Sequence, residues 1–73
     1  MRNPRFNPDV ERFRAQLRHF CWSYGVSAKR IGVELGRDPM RAYKYIKGER
    51  MPTYTTRMVW RAWMRRYRKS IKI

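Results

Sequence analysis

The sequence predicts an all-α fold, a compact domain of four helices at about 8–24, 27–35, 38–47 and 54–69. Three observations predict it. Apolar residues recur at spacings of three and four through most of the chain, the period of one helix face. Capping residues and glycines fall where such stretches would start and stop. No stretch alternates apolar and polar residues in the manner of a half-buried strand. At 73 residues the chain has room for one domain. Its 42% hydrophobic and 15% aromatic content supports a packed core rather than a disordered tail.

Residues 1–6 are expected to form a flexible basic arm carrying Arg2 and Arg5, with 7–73 the folded domain. The first helix should open at Asn7-Pro8-Asp9. Asn is a good N-cap, Pro suits the first helical position, and Asp9 and Glu11 complement the positive end of the helix dipole. Val10, Phe13, Leu17, Phe20, Cys21 and Tyr24 then mark one face, and Gly25 is the natural left-handed stop. Ser27 caps the second helix, whose Ile31 and Leu35 point inward. Gly32 costs about 1 kcal/mol inside a helix, which implies close approach by a neighbour. Gly36 reads as the glycine that closes this helix with positive φ. Asp38-Pro39 should start the third helix and Gly48 end it. After the connector Arg50-Met51-Pro52, Thr53 or Thr55 caps the fourth. There Val59, Trp63 and Tyr67 form an apolar stripe flanked by Trp60 and Met64, and Arg57, Arg61, Arg65 and Arg68 form a basic one. Phe13, Leu17, Phe20, Ile31, Leu35 and Val59 are the expected core.

Charge narrows the partners. Nineteen Lys and Arg against five Asp and Glu leave +14, an excess that repels itself unless a polyanion lies nearby. Nucleic acid is the first candidate; an anionic membrane or an acidic protein remain open. No uninterrupted apolar run exceeds three residues, so neither a membrane span nor a signal peptide is expected. Cys21 is the only cysteine, which rules out an internal disulfide and fits a reducing cytosol. It reads as a small buried hydrophobe, and His19, the only histidine, as a surface residue. Without paired carboxylates, a Ser/His/Asp set, a phosphate loop or a metal-ligand cluster, no enzyme, cofactor or metal is expected.

The segment Ala28–Gly48 carries the spacing of a helix-turn-helix. It has a small residue inside the second helix (Gly32), a glycine four later at the turn (Gly36), and apolar positions six and nine beyond it (Ala42 and Tyr45). The small residue lets the third helix cross closely; Ala42 and Tyr45, three apart, hold that helix against the first two. Gly36 is followed twelve residues later by Gly48-Glu49-Arg50-Met51-Pro52. With these residues the chain resembles the Cro/phage-repressor helix-turn-helix family, in which a Gly-x-Arg-x-Pro stretch commonly ends the recognition helix. The resemblance spans about Phe13 to Met64. Pro52-Thr53-Tyr54-Thr55 is also similar to the start of the last helix in small anti-CRISPR-associated phage regulators.

The resemblance implies a phage-type repressor acting on double-stranded DNA in a bacterial host's cytoplasm, in association with the nucleoid. Its third helix would enter the major groove. Carried over by position, the base-facing residues are Asp38, Pro39, Met40, Tyr43 and Lys44, with Arg41 at the edge. Pro39 and Met40 depart from the family pattern, since their side chains donate no hydrogen bond; Arg41, Tyr43 and Lys44 are left to read bases. Lys29, Arg30, Arg37, Lys47 and Arg50 occupy the helix ends and turns that a docked motif presents to phosphates. A homodimer is expected through the fourth helix, with Trp60, Met64 and Tyr67 at its interface. A different class of function stays open. The cationic, amphipathic fourth helix also suits a phage-encoded inhibitor of a host protein, or a nonspecific nucleic-acid binder, with the fold serving only as a scaffold.

Overall fold

The computed structural model describes residues 7–71, so the expected basic arm at 1–6 lies outside the described residues. Among them the chain forms four helices and no strand: α1 (Pro8–Tyr24), α2 (Ala28–Gly36), α3 (Arg41–Lys47) and α4 (Tyr54–Ser70). Local chemistry sets most of the ends. The Asn7 side chain accepts from the backbone N–H groups of Asp9 and Val10, Ser27 from Arg30, and Thr53 from Thr56. Each satisfies donors that the first turn of a helix leaves orphaned. Gly25 and Gly48 close α1 and α3 in the left-handed conformation, with φ of 63° and 82°.

The turn between α2 and α3 departs from the sequence reading in two ways. Gly36 is the last residue of α2, and it is Arg37 that takes the left-handed conformation, with φ 54°. The Arg37 N–H donates to the Val33 carbonyl and the Asp38 N–H to the Gly32 carbonyl, which closes the helix. Gly36 is needed for space instead. A Cβ there would meet the Arg41 Cγ at 2.9 Å and the Trp60 ring at 3.6 Å. Second, α3 starts at Arg41 and not at Asp38. The Asp38 carboxylate accepts from the Met40 N–H at 2.9 Å and so stabilises the turn ahead of the helix. Gly32 behaves as read: a Cβ on it would collide with the Asp38 carbonyl oxygen and sit 3.3 Å from that of Pro39.

The core joins all four helices through Phe13, Leu17 and Phe20 of α1, Ile31 of α2, Ala42 and Tyr45 of α3, and Trp60 and Met64 of α4. Phe13, Tyr45 and Trp60 meet edge-on at centroid distances of 5.1–6.2 Å, an arrangement favoured by ring quadrupoles. Towards the far ends of α1 and α4, Phe20, Tyr24, Trp63 and Tyr67 form a second aromatic group. Two expectations about α4 are overturned. Trp60 and Met64, placed on an exposed dimer surface, are only 3% and 5% exposed and belong to the core. Tyr67, placed there with them, is half-buried against Phe20 and Tyr24. Val59, expected in the core, is 51% exposed. The register of α4 is rotated from the expected stripe because Arg57 turns inward.

Arg57 is 8% exposed and holds α4 to α1. Its Nε donates to Asp9 at 2.7 Å and its Nη1 to the buried Pro52 carbonyl at 2.9 Å. Arg61, one turn on, grips the same carboxylate with both terminal nitrogens, at 2.9 and 3.0 Å. The hydrogen bond from Arg61, seconded by that from Arg57, holds the Asp9 carboxyl below its ordinary range against the opposing effect of desolvation. Half of the expected basic stripe of α4 is thus spent inside the protein. Cys21 is half-buried, and desolvation pushes its thiol above the ordinary value. No helix among the described residues is long and apolar enough to cross a membrane.

Candidate nucleic-acid interface

At seven residues α3 is too short to persist alone, so its neighbours must hold it. On the inward side Ala42 is fully buried and Tyr45 nearly so. At the C-terminal end Arg14 of α1 reaches across, its Nε donating to the Tyr45 carbonyl at 3.1 Å and Nη2 to the Ile46 carbonyl at 3.2 Å. Its Nη1 donates to Glu11 at 2.7 Å, which fixes the guanidinium. A cation placed on the last carbonyls of a helix satisfies orphan acceptors and complements the negative end of the dipole. Sequence reasoning did not single out Arg14. The available signal was its place at the border of the apolar stripe of α1, with an acid three residues earlier.

The outward side of α3 is left uncovered by the other helices. Met40 and Tyr43 are about half exposed, at 50% and 46%, and Pro39 and Lys47 are exposed beside them. Lys44 is half-buried. The Lys47 ammonium lies 4.8 Å from the centroid of the Tyr43 ring, a cation–π pairing that orients both side chains on one surface. Asp38 and Arg41 are less available than their sequence positions suggested. Asp38 is half-buried and caps the turn. Arg41 lies over Gly36, with its Nε 3.9 Å from the Asp38 carboxylate and without a hydrogen-bond partner among the described residues. Met40, Tyr43, Lys44 and Lys47 therefore come together, with Pro39 at the leading edge, while Asp38 and Arg41 serve the turn.

The expected phosphate ligands lie on α2, at the turn and at the end of α3. Lys29 and Arg30 are exposed in the first turn of α2, whose amide donors and dipole themselves favour an anion. Arg37 is exposed at the turn and Arg50 just beyond α3. Among the described residues, none of Lys29, Arg30, Arg37, Lys44, Lys47 or Arg50 makes an ion pair within 4.0 Å. Glu34 and Glu49 are exposed on the same two-helix unit, and neither takes a cation partner there. Comparison with protein-family models, curated proteins and solved structures returned no match.

Proposed function

We propose that this protein binds double-stranded DNA as a sequence-reading regulator, with α3 laid in the major groove. The observation that carries the reading is the division of α3. Its inner face and its end are locked by Tyr45, Ala42 and Arg14, while Met40, Tyr43 and Lys47 are exposed with the half-buried Lys44 between them, on a two-helix unit whose Lys29, Arg30, Arg37 and Arg50 have no ion pair among the described residues. A helix so held presents side chains to base edges without moving, and the surrounding cations take the phosphates on either side of the groove. Lys44 is the residue placed to bond guanine acceptors; Met40 and Pro39 suit a thymine methyl.

The test is binding to duplex DNA across a salt series. About five phosphate contacts give a log–log slope near −4.5, from about −0.9 per phosphate. A slope shallower than about −2 overturns the reading. On the best site selected from a random pool, Lys44→Ala is expected to cost about 1–3 kcal/mol and relax one base position. Arg30→Ala should weaken all sequences alike and flatten the slope by about one. If Lys44→Ala also weakens all sequences alike, base reading fails. A basic interaction protein then becomes the better account.

A repressor of this kind works as a dimer on two half-sites, and the surface for it passes from the buried Trp60 and Met64 to the exposed Tyr54, Met58 and Val59. An antiparallel pairing of this half of α4 keeps the two basic C-terminal halves apart. Met58→Glu should leave the fold intact and abolish the dimer in sedimentation; a wild type that is monomeric both free and on DNA removes this part of the proposal.

A further inference from the structure

We propose that the cleft between α1 and α4 is a binding site for a small phosphorylated ligand carrying two linked phosphoryl groups, separate from the DNA-reading surface. The cleft has a volume of 230 Å³. Pockets for drug-sized ligands run to roughly 300–1,000 Å³, so this smaller space selects a compact molecule. One wall is α4, with Arg61, Arg65 and Arg68 at successive turns; the other is α1, with Gln16, His19 and Ser23. Its floor is the apolar core. No acidic side chain lines it.

The charge of the cleft comes from its outer end. Arg61 is held by Asp9 and by the Gln16 side-chain oxygen, which its Nε reaches at 2.8 Å. That bond fixes the Gln16 amide and leaves its NH₂ group free to donate. Arg65 and Arg68 are exposed and, among the described residues, have no carboxylate within 4.0 Å. They stand three apart on one helix, roughly 5–6 Å between Cβ atoms, so both guanidinium groups can reach the oxygens of one pyrophosphate. Across from them His19 Nε2 and Ser23 Oγ are 3.1 Å apart, a pair of hydrogen-bonding groups. Two guanidinium forks facing hydroxyl, imidazole and amide groups across a narrow cleft match a phosphate's several acceptor oxygens.

The position argues for a free ligand over a DNA backbone. The flank of α1 bearing Arg14, Arg18 and Trp22 is the one that borders Ile46 of α3. Gln16 and Ser23 lie on the flank that faces α4, and His19 borders both flanks. The outward side of α3, with Met40, Tyr43 and Lys47, contributes no residue to this cleft.

The experiment titrates the DNA-free protein with pyrophosphate and with orthophosphate at about 0.15 M ionic strength, following amide and imidazole resonances by NMR. His19 supplies the only imidazole in the chain and hence an unambiguous reporter. The expected result is saturable shifts at His19, Ser23, Arg65 and Arg68, with pyrophosphate binding tighter than orthophosphate. Replacing both Arg65→Gln and Arg68→Gln should weaken pyrophosphate at least about tenfold, the worth of one charge-assisted hydrogen bond. Lys69→Gln, on the outer side of α4, should change it by less than about twofold. Shifts spread equally over Lys29, Arg30 and Lys47 would show general counterion binding and overturn the site. Equal affinity for the two anions would overturn the two-phosphoryl assignment. Stoichiometric displacement of pyrophosphate by duplex DNA would assign the cleft to the DNA backbone, and so overturn a separate ligand. All of these readings are made on the cleft itself, so they stand or fall independently of whether α3 reads bases.

Discussion

The α1–α4 side and the α2–α3 side of this domain use arginine for opposite ends. On the first, Arg57 and Arg61 converge on Asp9, and the helices are fastened by charge as well as by the aromatic core. On the second, the helices approach through the missing side chains at Gly32 and Gly36, and among the described residues Lys29, Arg30, Arg37, Lys44, Lys47 and Arg50 have no carboxylate within 4.0 Å. Net charge does not distinguish these uses. A basic residue becomes a ligand for something outside only where the fold supplies no carboxylate for it.

The comparison breaks hardest at the residue where both sides meet. Trp60 packs on Phe13 and Tyr45, and its ring also lies over Gly36. Trp60→Ala should cost about 3–5 kcal/mol. That is much of the stability of a domain this small, so thermal denaturation should show a strongly lowered melting temperature. A folded variant with altered oligomeric state would return Trp60 to an interface. Gly32→Ala comes next, at about 1–3 kcal/mol, because the new methyl must displace the Asp38 and Pro39 backbone. Its DNA binding should fall further than its stability; equal losses would mean that the turn geometry does not matter to the contact.

A smaller effect, solvent-screened, is expected from acid. Asp9 has its pKa lowered by Arg61 and Arg57, below the unfolded value of about 3.9. Its contribution to stability is thus present above that value and is lost as pH falls through the folded-state pKa. Asp9→Asn should lower the melting temperature near neutrality and flatten its decline in acid; an unchanged acid limb would show that the pairing carries no stability. Smallest is Arg37→Gly. Relief of the left-handed conformation, about 1–2 kcal/mol, exceeds the entropy cost of glycine, about 0.5–1 kcal/mol, so stability should rise by about 0.5 kcal/mol. The salt slope on DNA should flatten by about one at the same time. A variant that gains stability while losing phosphate affinity separates the two uses of arginine in a single residue.

Features that depend on a few neighbouring residues were legible in the sequence. Asn7, Ser27 and Thr53 cap helices through side chains that reach two or three residues ahead, and Gly25 and Gly48 stop them by backbone conformation alone. The register of α4 was not legible. Its first ten residues carry Tyr54, Met58, Val59, Trp60, Ala62 and Trp63 around most of the circumference, so periodicity alone does not choose a buried side. What chooses it is Arg57 meeting Asp9, 48 residues away in sequence. Gly36 misled for a related reason. A glycine beside a turn can be there for its φ or for its missing Cβ, and only Arg41 and Trp60 overhead reveal which. For the candidate site, the exposed cations could be named from their positions. The withdrawal of Asp38 and Arg41 into the turn could not, since it follows from where α3 begins.

The hold of Arg14 on α3 has a consequence for how such a surface changes over generations. Its guanidinium grips main-chain carbonyls at Tyr45 and Ile46, and every amino acid has a carbonyl. The clasp is indifferent to which side chains stand at 40, 43, 44 and 47. Those four positions can be exchanged as a set while the helix stays clamped, much as the bit of a key is recut without touching the bow. A library randomised at these positions, with Arg14, Ala42 and Tyr45 kept, should yield folded members in high proportion. The same library on an Arg14→Ala background should not.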